Sequence, residues 1–190
     1  MQMANNTSSP TPNNRSRSIT SRRVFEMCVF AMLGAVMFCS KIITELLPNI
    51  HLLGMFIMAY TVAFRKKALI PIYIFVIISG VYAGFSAWWV AYLYIWAILW
   101  GITMLLPKNM PAWVAGICYP VVCSLHGFAY GTLYAPAQAL LFGFDFQQTM
   151  AWIAAGIPFD IIHGISNLIV GMLVLPFSRL LRKLMNRSWK

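Results

Sequence analysis

Charge is scarce in this chain. Of its 190 residues, 9% are charged, where a soluble domain carries about 25%. Four residues are acidic, Glu26, Glu45, Asp145 and Asp160. That scarcity excludes the solvated surface of an ordinary soluble domain. No GxxxxGK[ST] sequence occurs, so a phosphate-binding loop of that type is excluded. Short apolar segments fill the length and leave no room for a separate ATP-binding or soluble catalytic domain, so energy input must come from a partner or an ion gradient. HExxH and GxSxG are absent, and no helix carries a paired-acid motif. The chemistry of zinc peptidases, serine hydrolases and carboxylate pairs therefore has no motif to rest on. The four cysteines, Cys28, Cys39, Cys118 and Cys123, form no CxxC pair and lie within apolar runs, where they read as packing residues. The N-terminal stretch is polar and rich in Asn, Ser and Pro, unlike a signal peptide, and reads as a disordered cytoplasmic tail over residues 1–23.

What is present is apolar: 61% of residues are hydrophobic and mean hydropathy is +0.75. The 14 basic residues are sorted along this apolar chain. Arg15, Arg17, Arg22 and Arg23 precede the first apolar run. Arg65, Lys66 and Lys67 separate the second from the third. Lys108 separates the fourth from the fifth. Arg179, Arg182, Lys183, Arg187 and Lys190 follow the last. Lys41 alone breaks the alternation. Basic residues near helix ends stay on the cytoplasmic side. The pattern predicts an all-α membrane protein, a bundle of six transmembrane helices with both termini cytoplasmic. The net charge of +10 is then a topology signal that also favours anionic lipid, not a nucleic-acid footprint. The expected organisation is the tail, a transmembrane domain over 24–178 and a basic cytoplasmic segment over 179–190. The expected spans are Val24–Ser40, Ile50–Phe64, Ala68–Phe85, Trp88–Leu106, Ala112–Leu133 and Pro158–Phe177. Lys41–Asn49 reads as an outer loop, and Tyr134–Phe146 as a longer outer segment. Pro158 suits the first turn of the last span. A single helix from Gln148 to Phe177, kinked at Pro158, is the alternative, at about 45 Å long for an untilted crossing.

Polar residues inside a membrane are expensive and face the protein interior or a cavity. With this topology, Lys41, Glu45, Asn49, His51, Trp89, Tyr92, His126, Tyr130, Asp160, His163 and Asn167 all fall in the outer half, while the inner half is apolar. The arrangement describes a pocket open to the outside, not a pore. Asp160, His163 and Asn167 share one helix face at i, i+3 and i+7, with His126 and Tyr130 at i, i+4 at similar depth. An Asp–His bond between helices would use the same residues. Lys41 and Glu45, four apart, form either an exposed ion pair or a contact to an anionic ligand group. Trp88, Trp89, Tyr92, Tyr130 and Tyr134 serve either an interfacial aromatic belt or a wall for a flat ligand. The three His with Asp160 contain metal-ligand chemistry without metal-site spacing, so no metal and no catalytic residue is assigned. Ala31, Gly34 and Ala35 give the first span a small-residue face that lets another helix approach.

Ala31-x-x-x-Ala35, the stretch Lys41-Ile-Ile-Thr-Glu-Leu-Leu-Pro-Asn-Ile-His51 and the start of the last span at Pro158-Phe-Asp160 together resemble the S component of an energy-coupling factor (ECF) vitamin transporter. The resemblance covers about Val24–Phe177. It implies a substrate-binding subunit, not an enzyme, in the bacterial cytoplasmic membrane. It implies that Ala31, Gly34 and Ala35 meet a transmembrane coupling subunit, that two cytoplasmic ATPase subunits consume the ATP, and that this chain holds no cofactor. It further implies that Lys41–His51 caps an outward pocket for a water-soluble vitamin or precursor, and that the whole subunit topples in the membrane during transport. The candidates span cobalamin, pantothenate, folate, pyridoxine or pyrimidine compounds and the queuosine precursor. A neutral or weakly anionic ligand with an aromatic or polar-ring part is expected. The metal-ion members begin with a ligating His, whereas this chain begins Met-Gln-Met-Ala, which points away from cobalt or nickel. The competing readings are a self-sufficient secondary carrier, which needs polar residues in the inner half as well, and a small membrane enzyme using His126, His163 and Asp160.

Overall fold

Apolar runs punctuated by Gly, Pro and basic turns fold as helices. The structure, a computed structural model, describes residues 12–46 and 51–188. The helices are α1 (Pro12–Thr44), α2 (Leu53–Phe64), α3 (Leu69–Ala83), α4 (Ala87–Leu105), α5 (Ala112–Phe128), α6 (Tyr130–Phe142), α7 (Phe146–Gly171) and α8 (Val174–Ser188). A 3-10 turn, Arg65–Ala68, joins α2 to α3. No strand occurs among the described residues.

Four segments are long and apolar enough to cross a membrane: Ile19–Thr44 within α1, α4, Ala112–Phe142 spanning α5 and α6, and α7. The sequence leads one to expect six. α2 and α3 have 12 and 15 residues, hence rises of about 18 and 23 Å, short of the roughly 30 Å hydrocarbon core. α2 is the central helix, buried at every residue from Leu53 to Val62. Large apolar side chains on the outer helices stay exposed, among them Met32, Ile77, Trp113, Ile165 and Ile169.

Three boundaries differ from the sequence reading. α1 begins at Pro12, inside the stretch expected to be a disordered tail, and runs on through Thr44. Lys41 therefore sits in a last helical turn and not in a loop. α6 occupies most of the expected outer segment, ending at Gly143 in the left-handed conformation (φ 69°). α7 begins twelve residues before Pro158 because a capping box starts it. The Asp145 carboxylate accepts from the Gln148 backbone N–H at 2.7 Å, and the Gln148 side chain accepts from the Asp145 N–H at 3.0 Å. Pro158 removes one internal hydrogen bond without ending the helix. The expected basic segment 179–190 is the second half of α8 as far as Ser188.

The basic residues gather the ends of several helices. Lys67 pairs with Glu26 at 2.6 Å, Arg65 donates to the Met104 carbonyl at 2.7 Å, and Arg182 donates to the Val62 carbonyl. Arg65 has a positive φ of 56°, which a side chain disfavours. Its carbonyl is held by the Trp100 indole N–H at 3.3 Å.

α5, continued by the first turn of α6, packs antiparallel to α7 through two stripes of matching 4-3-4 spacing: Pro120, Ser124, Gly127 and, on α6, Gly131 on one side, Asp160, Gly164, Asn167 and Gly171 on the other. Ser124 Oγ donates to the Gly164 carbonyl at 2.8 Å. A Cβ on Gly127 would lie 2.9 Å from both Gly164 Cα and the His163 carbonyl oxygen, and one on Gly171 would lie 2.7 Å from Pro120 Cα. Only hydrogen at these positions allows the backbones to come so close.

Candidate functional site, an aromatic cavity between four elements

The α5–α6 junction positions the floor of a cavity. Helical hydrogen bonding runs through Ala129, whose N–H reaches the Leu125 carbonyl at 3.0 Å and whose carbonyl accepts from the Leu133 N–H at 2.8 Å, and it is diverted two residues on. The Gly131 N–H turns to the Asp160 carboxylate, at 2.9 and 3.1 Å to its two oxygens. A Cβ on Gly131 would meet Asp160 Oδ2 at 2.5 Å, so the junction needs glycine. The side chain of Asp160 thereby links α7 to the start of α6.

The cavity beside this link has a volume of about 340 Å³. His51 and Leu53 line it from the connection into α2, and Tyr92 and Trp96 from α4. Tyr130, Gly131, Tyr134 and Gln138 contribute from α6, and Trp152, Gly156, Phe159, Asp160 and His163 from α7. Its aromatic rings touch one another in a chain. Tyr92 meets Trp96 edge-on at 5.2 Å, Trp96 meets Tyr130 at 5.9 Å, and Tyr130 meets His163 at 4.8 Å. Tyr134 stacks on Trp152 at 5.8 Å and 18°. His51 lies edge-on to His163 at 5.7 Å. Such mutual contacts fix each ring's orientation and prepare flat walls for a flat guest.

Two buried polar atoms on lining residues have no partner within the protein: Trp96 Nε1, a donor, and Gln138 Oε1, an acceptor. Trp96 is 3% exposed. Burying an unpaired polar group is unfavourable by about 1–3 kcal/mol, and Ser79, Ser166 and Asn167, which do not line the cavity, also carry buried oxygens without a partner. No Lys or Arg lines the cavity. His51, outside the helices, is held below the ordinary imidazole pKa by burial and by nearby Lys41, with Glu45 opposing.

Of the residues singled out in the sequence, His51, Tyr92, Tyr130, Asp160 and His163 line the cavity. The others have different surroundings. Lys41 Nζ pairs with Glu45 Oε1 at 2.7 Å. Trp89 Nε1 donates to the Val76 carbonyl at 2.9 Å, against α3. His126 Nε2 donates to the Ile95 carbonyl at 3.2 Å, behind Trp96 and Tyr130. Asn167 Nδ2 donates to the Cys123 carbonyl at 3.3 Å, deeper between α5 and α7. Asn49 lies outside the described residues. Gly34 is buried against Ile74 and the Pro71 carbonyl of α3, whereas Ala31 and Ala35 are exposed on α1. Among the described residues no group of three His, Cys, Asp or Glu side chains is arranged to hold a metal ion.

The sequence reading did not assign Trp96, Gln138 and Trp152 to the site, and it left Tyr134 between an interfacial belt and a ligand wall. Trp96 follows Tyr92 at i+4, and Tyr134 follows Tyr130 at i+4. That spacing continues the stripes already seen and was the available signal. Trp152 carried no such signal while α7 was expected to start at Pro158. Set against protein-family models, curated proteins and solved structures, the chain matches none.

Proposed function

We propose that this chain is the substrate-binding membrane subunit of an ATP-driven importer of the energy-coupling factor type, which captures a water-soluble, vitamin-like compound outside the cell. The observation that carries the reading is the cavity: ringed by fixed aromatic faces, holding an unpaired donor and an unpaired acceptor, and set away from the end where Arg65, Lys67 and Arg182 gather the helices. A binding site at one end and a basic, closed opposite end suit capture rather than conduction. On this reading six spans cross the bilayer, formed by α1, α2, α3, α4, α5 with α6, and α7. Of the two short ones, α2 is enclosed by its neighbours, whereas α3 leaves Ile77 and Val81 exposed. Both termini and the basic turns face the cytoplasm. α8 carries Arg179, Arg182, Lys183 and Arg187 on one side, and Leu180 and Leu184 on another, and lies along the inner interface. Ala31 and Ala35, exposed on α1, meet the transmembrane coupling subunit, and two ATPase subunits supply the energy.

The test is direct. The full chain, purified without partner subunits or ATP, is extracted and its small molecules are identified by mass spectrometry. About one water-soluble organic compound per chain, depleted in a Trp96→Phe/Trp152→Leu double variant, is expected. A purified chain that carries and binds none would overturn the proposal.

A further inference from the structure

We propose that the guest of this cavity is a flat ring compound bearing a positive charge. This rests on the cavity being a capture site. The lining contains one carboxylate, Asp160, and no Lys or Arg. Asp160 is 9% exposed. Its contact within the protein is one backbone N–H, that of Gly131, shared between its two oxygens. The ion pairs Lys41–Glu45 and Lys67–Glu26 do not include it. A buried carboxylate without a cationic partner is unfavourable, and each oxygen of this lining residue has lone-pair capacity beyond the one N–H it shares.

The walls make the same selection independently. Tyr92, Trp96, Tyr130 and Trp152 line the cavity, and Trp is the strongest cation–π partner among side chains. Gln138 adds a neutral polar side chain to the lining and no positive charge. Lys41, the one basic side chain near this end, is 15% exposed and bonded to Glu45. It is not directed at the cavity, so the anionic alternative expected from the sequence has no partner in the lining.

Three rings of one size separate charge from shape: 1-methylnicotinamide is a cation, nicotinamide is neutral and nicotinate is an anion. Equilibrium dialysis of each against the purified full chain at pH 7.5 reads their affinities. The cation is expected to bind at least tenfold more tightly than nicotinamide, and nicotinate more weakly than either. Asp160→Asn keeps an oxygen for the Gly131 N–H and removes the charge, so it should erase the gap between cation and neutral ring while leaving nicotinamide unchanged. Trp152→Leu, remote from the Asp160–Gly131 link, should lower cation affinity at least threefold and serves if Asp160→Asn fails to fold by thermal unfolding. Preference for the neutral or anionic ring would overturn the charge assignment and leave the capture site standing. Binding of none of the three would overturn both.

Discussion

Trp96 lines the cavity, and its indole N–H is buried without a partner in the protein. Trp96→Phe keeps an aromatic face and removes the donor. Loss of one hydrogen bond, about 1 kcal/mol, should weaken binding of the co-purified compound roughly fivefold with little change in thermal stability. Calorimetric titration of both proteins checks this, and an equal affinity would assign the N–H no role. His51 carries the acid sensitivity. It faces Lys41 and Thr44 from α1, Glu45 in the turn after it, and His163 from α7. Its folded pKa is lowered below the ordinary 6.5. Above that value His51 is neutral whether folded or unfolded and contributes no difference. As pH falls through it, the unfolded chain takes up the proton first, so folded stability declines until the folded pKa is passed. Between pH 7 and pH 5, wild type should therefore lose more thermal stability than His51→Gln. The same pH dependence in both proteins would contradict the assignment. His126 and Asn167 show how far one-dimensional spacing reaches at this scale. Asn167 shares a face with Asp160, yet seven residues place it about 10 Å further along the helix, where it bonds the Cys123 carbonyl and not a guest.

Helix termini were legible where chemistry stops a helix and illegible where it only weakens one. Pro107, Pro111 and the run Arg65-Lys66-Lys67 mark ends in both sequence and structure, whereas Gly84 ends α3 inside the span expected to reach Phe85. Pro158 does not, because a proline removes one hydrogen bond from a long helix held by its neighbours, and the stronger signal, Asp145 with Gln148 three residues on, lay upstream. The matched stripes of α5–α6 and α7 were equally open to reading, as Pro120, Ser124, Gly127 and Gly131 and as Asp160, Gly164, Asn167 and Gly171. Their partnership emerges only once the helices are packed. Gly127→Ala should destabilise the protein by about 1–3 kcal/mol, since its Cβ would press on Gly164 Cα and the His163 carbonyl. Gly116→Ala in the same helix meets nothing within 4 Å and should be neutral or slightly stabilising. Thermal unfolding of both separates close packing from helix propensity. On α1, Ala31→Trp or Ala35→Trp enlarges an exposed position. Either should leave folding and ligand content intact while abolishing co-purification with the coupling subunit. Assembly that survives both would remove this face from the interface.

Across the whole molecule, the alternation of basic residues was the most readable property, because charge near a helix end is set by topology more than by packing. Arg65, Lys67 and Arg182, far apart in sequence, each tie different elements at that end. The cavity was half readable. Ionisable residues in an apolar chain stand out, so Asp160, His163 and His51 could be named. Aromatic residues do not, since the same Trp or Tyr serves an interfacial belt, a core or a binding wall. Trp89 bonded to Val76 and Trp96 facing the cavity look alike in sequence. The central claim is that this chain captures its guest without carrying it across. The most direct measurement reconstitutes the purified chain alone in liposomes and follows the compound that co-purifies with it. The account predicts about one molecule bound per chain without ATP and no accumulation inside, under any imposed ion gradient, until the coupling and ATPase subunits are added. Accumulation by the chain alone would contradict it.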